Sequence, residues 1–308
     1  MPFVSQKILT SPQLELNRAY GTKRYPNILH YFRKTPRSIV CPHFWELRWA
    51  YGCPFDCAYC YLQGTFRGKK EPRYVPLDHI FLALQEAFND KNLKPSIFNS
   101  GELADSLMNP EIMEKIADKF EKQNKHKLLL LSKSDNIDFL VKKPRRQTIA
   151  SFSLNAHKVW ELWEHRTPSP ERRIKAAKAL MKSGYEVRIR IDPIFPIGDW
   201  KRHYEDLVYS MLSELPENPE RITLGTPRGL RKTLMMSKDH SWTRWFTERS
   251  GWGKKISTPL RKEIYFFFFD KLIALGFDKT KIAMCKETET MWNEMNLNKQ
   301  NCRCNCVW

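Results

Sequence analysis

Tyr51-Gly-Cys-Pro-Phe-Asp-Cys-Ala-Tyr-Cys-Tyr-Leu-Gln63 is the stretch on which the reading of this chain turns. It sets Cys53, Cys57 and Cys60 at Cys-x3-Cys-x2-Cys spacing. Three thiolates on one short loop can hold three irons of a [4Fe–4S] cubane and leave the fourth without a protein ligand. An iron with an open position chelates a small molecule, usually S-adenosylmethionine (SAM), whose sulfonium then splits to a 5'-deoxyadenosyl radical. The competing reading is a zinc site in a nucleic-acid-binding protein. Structural zinc takes four closed ligands, commonly from a repeated Cys-x2-Cys pair. Cys41 or His43 is near enough in sequence to complete such a set, but no second pair follows at finger spacing. The β-rich run Phe44 to Tyr51 before the loop, and the helix-like run after it, suit a cluster loop above the first strand of a barrel.

Outward from the loop, β-like and helical runs alternate. Trp45–Tyr51, Ser96–Ser100, Lys127–Ser132, Thr148–Leu154, Val187–Ile191 and Arg221–Leu224 read as strands. Apolar residues recur at helical spacing in Leu77–Asn89, Pro110–Lys122, Ser169–Ser183 and Arg202–Leu215, and Asp135 to Val141 adds a short helix. Ser169 before Pro170-Glu171 is a capped start, and Ser183-Gly184 a stop. Alternating units of this kind build a parallel sheet by right-handed crossovers. The expected class is α/β: an open partial (β/α)6 TIM-type barrel with a basic, Trp-rich C-terminal extension. In such sheets the site forms at the C-terminal ends of the strands. The expected division is an N-terminal extension over 1–40, the barrel over 41–226, and an extension with a Cys-rich tail over 227–308.

The 308 residues carry 52 Lys and Arg against 34 Asp and Glu, a net charge of +18. An excess of that size concerns partners, and favours polyanions, nucleic acid above all. Residues 225–257 concentrate cations and indoles without clear periodicity, and Arg228, Arg231, Lys232, Trp242, Trp245 and Trp252 are the candidates there for phosphate contact and base stacking. A solvated face with its indoles in the core is the alternative. A helix over about Leu260 to Leu275 and a strand-like Lys281–Cys285 follow. No run approaches the roughly 20 apolar residues of a membrane helix, and residues 1–20 lack a signal-type apolar stretch. A soluble cytoplasmic protein is expected, and in a reducing compartment eight Cys favour metal ligation over disulfides.

The segment Cys53-Pro-Phe-Asp-Cys-Ala-Tyr-Cys-Tyr-Leu62 resembles the cluster loop of spore photoproduct lyases within the radical SAM superfamily. The likeness continues through Ser151-Phe-Ser-Leu-Asn155, Glu164-His-Arg-Thr167, Glu171-Arg-Arg-Ile-Lys-Ala-Ala177, Asp192-Pro-Ile-Phe-Pro196 and Met284-Cys-Lys-Glu287 with Trp292, roughly residues 40 to 295. The resemblance implies a carbon–carbon lyase acting on a nucleic-acid base lesion, a thymine dimer, with SAM and a [4Fe–4S] cluster, fed by an electron donor such as flavodoxin or ferredoxin. It implies SAM contacts at Ser100, Gly101 and Glu102, which are similar to the superfamily's Gly-Gly-Glu element, at Lys133, and at Ser153 and Asn155. It implies hydrogen relay by Tyr59 and Tyr61. A radical SAM enzyme working on a peptide or small molecule is the alternative substrate class.

One departure from the family stands out. The family's hydrogen-donating cysteine after strand two has no counterpart, because the stretch reads Ser100-Gly101-Glu102. The tail Asn301-Cys302-Arg-Cys304-Asn-Cys306-Val-Trp308 supplies other thiols. With Cys285 as a fourth ligand they can bind an auxiliary metal centre; alternatively they provide a replacement thiol, or form a frayed end. Cys41 reads as a packed small residue.

Overall fold

The computed structural model describes residues 19–308, so residues 1–18 of the expected N-terminal extension lie outside the described residues. One eight-stranded sheet organises the chain: β1 (Leu29–Phe32), β2 (Phe44–Leu47), β3 (Ile97–Asn99), β4 (Lys127–Ser132), β5 (Thr148–Leu154), β6 (Glu186–Ile191), β7 (Arg221–Leu224) and β8 (Ile282–Met284). The strands lie side by side in chain order. β1 runs antiparallel to β2, and every later pair is parallel. Sequential order with a helix in most connections is the winding of a barrel. Thus strands from both expected extensions join the barrel sheet: β1 from before residue 41 and β8 from after residue 226.

Strand character follows from burial on both faces. All seven residues of β5 and all four of β7 are buried, as parallel strands covered by helices and filled from within require. The outer face packs on Leu77–Asn89, Pro110–Phe120, Pro170–Lys182, Trp200–Glu214 and Thr258–Ala274, which bury residues such as Leu84, Ile116, Leu180, Val208 and Phe268. Asn109 and Ser169 accept the N–H of Ile112 and Arg172 as N-caps.

The inward-facing positions tell more. β6 and β7 turn Arg188, Arg190, Arg221 and Thr223 into the barrel, and β5 turns in Ser151 and Ser153. The C-terminal tail meets them there. Asn305 donates to Ser151 Oγ at 2.8 Å and to the Ile189 carbonyl at 3.0 Å, and accepts from Thr223 Oγ1 at 2.7 Å. Arg188 donates to the carbonyls of Asn305 and Val307, and Arg221 to those of Cys304 and Val307. The tail is therefore a plug in the lumen of the barrel, with Cys304, Asn305 and Cys306 buried.

Residues 225–257 also depart from the unstructured stretch their sequence suggests. They form a helix at Arg231–Met236, a 3-10 turn at Ser241–Thr243 and a hairpin of Phe246–Ser250 with Gly253–Ile256. Among the described residues no helix is long and apolar enough to cross a membrane.

Candidate active site

A cavity of about 610 Å³ opens at the C-terminal ends of the strands. Cys53, Cys57 and Cys60 all line it. Their loop is held by the backbone on both flanks. Gly52 donates to the Leu103 carbonyl at 2.9 Å, Cys53 to that of Lys70 at 2.7 Å, and Ala58 to that of Trp163 at 2.8 Å. Asp56–Cys57 pairs antiparallel with Glu164–His165. The buried Gln63 amide donates to the carbonyls of Cys57 and Ala58 at 3.2 and 2.7 Å. Gly52 has φ +98° and sits so close to the Lys70 and Glu71 carbonyls that a Cβ would lie 2.5 Å from each. Glycine is the residue that tolerates both demands.

The donor set fits an iron–sulfur cluster. Ligands to separate irons of a cubane stand farther apart than ligands to one zinc, and the three thiols share a roomy cavity wall. Burial pushes all three thiols up from their ordinary range, so ligation must displace protons.

Around the thiols, the strand ends supply polar groups. After β3, Asn99 Nδ2 donates to Glu102 Oε1 at 3.0 Å and Asn99 Oδ1 accepts from the Gly101 N–H at 2.9 Å. A Cβ on Gly101 would meet the Leu131 carbonyl at 2.4 Å. Gly101, Glu102, Lys133 and Ser153 all line the cavity. Tyr61 donates to the Glu102 carbonyl and Tyr59 to Glu164; both tyrosines also line the cavity. Burial, then the nearby carboxylates of Glu164 and Glu102, push these phenols well up and keep them protonated.

Two expected contacts sit elsewhere. Ser100 is buried and spends its hydroxyl on Ser106 Oγ at 2.8 Å and the Leu129 carbonyl at 2.9 Å. Asn155 is fully buried behind the wall, donating to the Pro193 carbonyl at 2.9 Å and accepting from Tyr204 at 2.8 Å.

Sequence reasoning assigned no role to Glu164, Arg173, Asp105 or Asp192, which hold this wall together with Lys133 and Arg228. Glu164 receives Arg173 at 2.6 Å and Lys133 at 3.0 Å. Burial alone would raise its carboxyl, but the two cations bring it down to about 2. Asp105 accepts from Ser132 Oγ and the Lys133 N–H, each at 2.7 Å, and so positions Lys133. Arg228 grips Asp192 with one nitrogen 2.8 Å from both carboxylate oxygens. Polar residues at the ends of Phe152-Ser153-Leu154-Asn155 and Ile189-Arg190-Ile191-Asp192 were the available signal.

The cavity lining also carries a basic and aromatic set. His30, Phe32, Lys34, Arg48, Arg228, Trp252 and Lys286 form it, with Lys286 Nζ 5.6 Å from the Phe32 ring centre and 5.1 Å from that of Trp252. Of the other nucleic-acid candidates, Trp242 lines the cavity as a core residue, its indole donating to Ser237 at 3.2 Å. Trp245 packs on Trp163 and Phe195 under the Arg244 guanidinium. Arg231 and Lys232 are exposed outside the cavity. A second, small cavity lies behind the first, lined by Cys41, Cys285, Cys304, Cys306, Arg190 and Lys286 among others; Cys302 lines neither.

The sequence model described as spore photoproduct lyase matches residues 43–225, more than half of the chain. The chain is 27% identical over 248 residues to spore photoproduct lyase of Clostridium acetobutylicum, covering 75% of this chain and 73% of that protein. It is 25% identical over 230 residues to the Bacillus subtilis enzyme, covering 69% and 67%. A crystal structure of spore photoproduct lyase complexed with dinucleoside spore photoproduct superposes with a TM-score of 0.66 at 21% identity, covering 78% of this chain and 75% of that one. A double mutant of that enzyme with bound AdoMet and dinucleoside spore photoproduct also gives 0.66 at 21% identity, covering 83% and 80%.

Proposed function

Because the chain belongs to the spore photoproduct lyase family, we propose that it is a radical SAM lyase that repairs a base lesion of the spore photoproduct kind in DNA. The observation that carries the reading is one cavity that unites three thiols of a Cys-x3-Cys-x2-Cys loop with polar strand ends and a basic, aromatic set of side chains. Cys53, Cys57 and Cys60 hold a [4Fe–4S] cluster, and Glu102, with the Asn99–Gly101 backbone that shapes it, receives the SAM ammonium. When bound, these groups supply an adenosyl radical that removes hydrogen from an unactivated carbon.

The residues of the chain do the rest. Asp105 and Glu164 fix Lys133 on the wall it shares with the thiols, where it would pair with the SAM carboxylate. Ser153 lines the same wall. Tyr59 and Tyr61 stay protonated and so retain a hydrogen to relay. Lesions in a duplex must leave the base stack before a buried site can act on them. Phe32 and Trp252 offer ring faces for the extruded bases, while Lys34, Arg48, Arg228 and Lys286 offer cations for phosphates. Cleavage of the carbon–carbon bond between two thymines is the specific reaction, in a cytoplasmic protein fed by a flavodoxin- or ferredoxin-type donor.

The test is anaerobic reconstitution with iron and sulfide, then reduction with SAM and dinucleoside spore photoproduct. 5'-Deoxyadenosine together with two restored thymidines is the expected result. SAM cleavage with the lesion intact sinks the lyase assignment; a colourless protein that retains zinc sinks the cluster as well.

A further inference from the structure

We infer that Cys285 is the hydrogen-atom donor that quenches the product radical in this chain. The inference rests on the radical reading above. The chain has eight cysteines, and the structure describes all of them. Three are the loop thiols. Of the remaining five, only Cys285 lines the large cavity. Cys41, Cys304 and Cys306 line the small cavity behind it, and Cys302 neither.

The position of Cys285 is fixed from several sides. It follows β8 directly, its N–H donating to the Leu224 carbonyl at 2.6 Å. Its own carbonyl accepts from Arg228 at 3.1 Å, and Arg228 is itself clamped on Asp192. The next residue, Lys286, reaches Glu102 at 3.9 Å. Through that pair the last strand's thiol is tied to the segment after β3, where the sequence Ser100-Gly-Glu-Leu-Ala-Asp-Ser106 offers no thiol of its own. The thiol is thus delivered to this wall of the cavity by a strand distant in sequence.

The chemistry singles out sulfur. Once hydrogen has been taken from the substrate and the bridging bond has broken, an unpaired electron remains on carbon. Alcohol and amide bonds to hydrogen are too strong to surrender it; a thiol's is not, and the two phenols of the cavity are engaged with Glu164 and the Glu102 carbonyl. In the step, the Cys285 S–H bond breaks homolytically, a C–H bond forms on the product, and the unpaired electron passes to sulfur. One electron from the donor that reduces the cluster, with one proton from solvent, returns the thiyl to thiol. Burial and the Asp192 carboxylate raise the Cys285 thiol, which preserves the protonated form the step needs.

The experiment is single-turnover repair of dinucleoside spore photoproduct in D2O by wild type, Cys285→Ala, Cys285→Ser and, as a control, Cys302→Ser. It reads product mass, 5'-deoxyadenosine and the electron paramagnetic resonance of freeze-quenched samples. Wild type and the control are expected to place a single deuterium from the exchanged thiol in the product. Both Cys285 variants are expected to keep the cluster absorbance and to form 5'-deoxyadenosine. Their repaired product falls about 100-fold or more, the scale of losing a group that exchanges hydrogen with the reacting atom, and a carbon-centred radical accumulates. Serine is expected not to rescue. Variants that repair and label as wild type does overturn the donor alone. A wild type that leaves the lesion untouched overturns the reading beneath it, and the donor with it.

Discussion

The chain carries two runs of closely spaced cysteines, and the fold treats them oppositely. The loop at Cys53, Cys57 and Cys60 is anchored by its flanks, through the carbonyls of Leu103, Lys70 and Trp163, and its thiols are left facing a large cavity. The tail at Cys302, Cys304 and Cys306 is anchored by what lies between its thiols. Asn305 donates to Ser151, and it and the neighbouring carbonyls accept from Thr223, Arg188 and Arg221. Its buried thiols are left with a cavity of about 10 Å³, about one water-sized probe. Spacing alone makes both look like metal sites; packing leaves the thiols of one facing a large cavity and spends the other on closing the barrel.

Cys57→Ala should break the comparison most visibly. The reconstituted variant is expected to lose its iron–sulfide absorbance and all formation of 5'-deoxyadenosine, while its far-ultraviolet circular dichroism stays that of wild type. Retained chromophore would mean that the loop is not the cluster site.

The two regions also differ in the kind of force that holds them, which pH can separate. The loop's partner strand carries Glu164, buried between Arg173 and Lys133. Its folded pKa of about 2 lies below the ordinary glutamate value near 4.3. A depressed carboxylate contributes stability that is present above the unfolded pKa and disappears as pH falls through the folded one. Here that is about 3 kcal/mol, lost between roughly pH 5 and pH 2. The tail's own hydrogen bonds come from neutral groups and arginines, and the carboxylate beside them, Glu186 on Arg188, is only part-buried. In metal-free protein, acidification below pH 4.5 should therefore release amide protection at Asp56–Cys57 before that of Asn305. Glu164→Gln strands two buried cations and should cost about 3–5 kcal/mol in denaturant, with a flatter acid limb than wild type. Simultaneous loss of protection in both regions would contradict this division.

Asn305→Ala probes the tail in the same way. It leaves Ser151 and Thr223 hydroxyls and the Ile189 carbonyl short of buried partners. The expected cost is about 2–4 kcal/mol, from desolvated groups worth about 1–3 kcal/mol each and partly relieved by relaxation. Cluster loading of the folded fraction should not change. Iron content that falls in proportion beyond the unfolded fraction would show that the plug shapes the upper cavity too.

Much of this was legible in the sequence where one rule acted locally. Leu77–Asn89, Lys127–Ser132, Thr148–Leu154 and Arg221–Leu224 have the observed bounds because apolar runs, β-type alternation and helical spacing mark them. The Cys-x3-Cys-x2-Cys loop was legible as a candidate cluster site because its spacing is the feature such chemistry requires. The hairpin at Phe246–Ile256 was not, since its partly exposed strands, FTERS and GKKI, show no apolar alternation. Nor was the tail: Cys-Arg-Cys-Asn-Cys has no periodicity, and its place is set by Arg188 and Arg221, more than 80 residues away in the chain. The side chains of Ser100 and Asn155 are hard to read for a related reason. A strand-end hydroxyl or amide can serve either a ligand or the protein's own interior, and only the fold shows that Ser106 and Tyr204 have already taken these two.

Cys304→Ala is the gentlest test and the most direct on the tail. Cys304 is buried beside Cys302 and Cys306; the Cys302 thiol and then burial push it well up, against an opposing pull from Cys306. A protonated sulfur in a packed interior behaves as a small apolar group. Replacing it removes about one buried heavy atom, worth about 1 kcal/mol, and leaves the Asn305 hydrogen bonds in place. The expected result is a small drop in denaturation midpoint with iron, sulfide and SAM cleavage unchanged. A loss of iron from Cys304→Ala comparable to that from Cys57→Ala would mean that the tail thiols ligate metal after all. The contrast between the two cysteine runs would then be one of occupancy rather than of role.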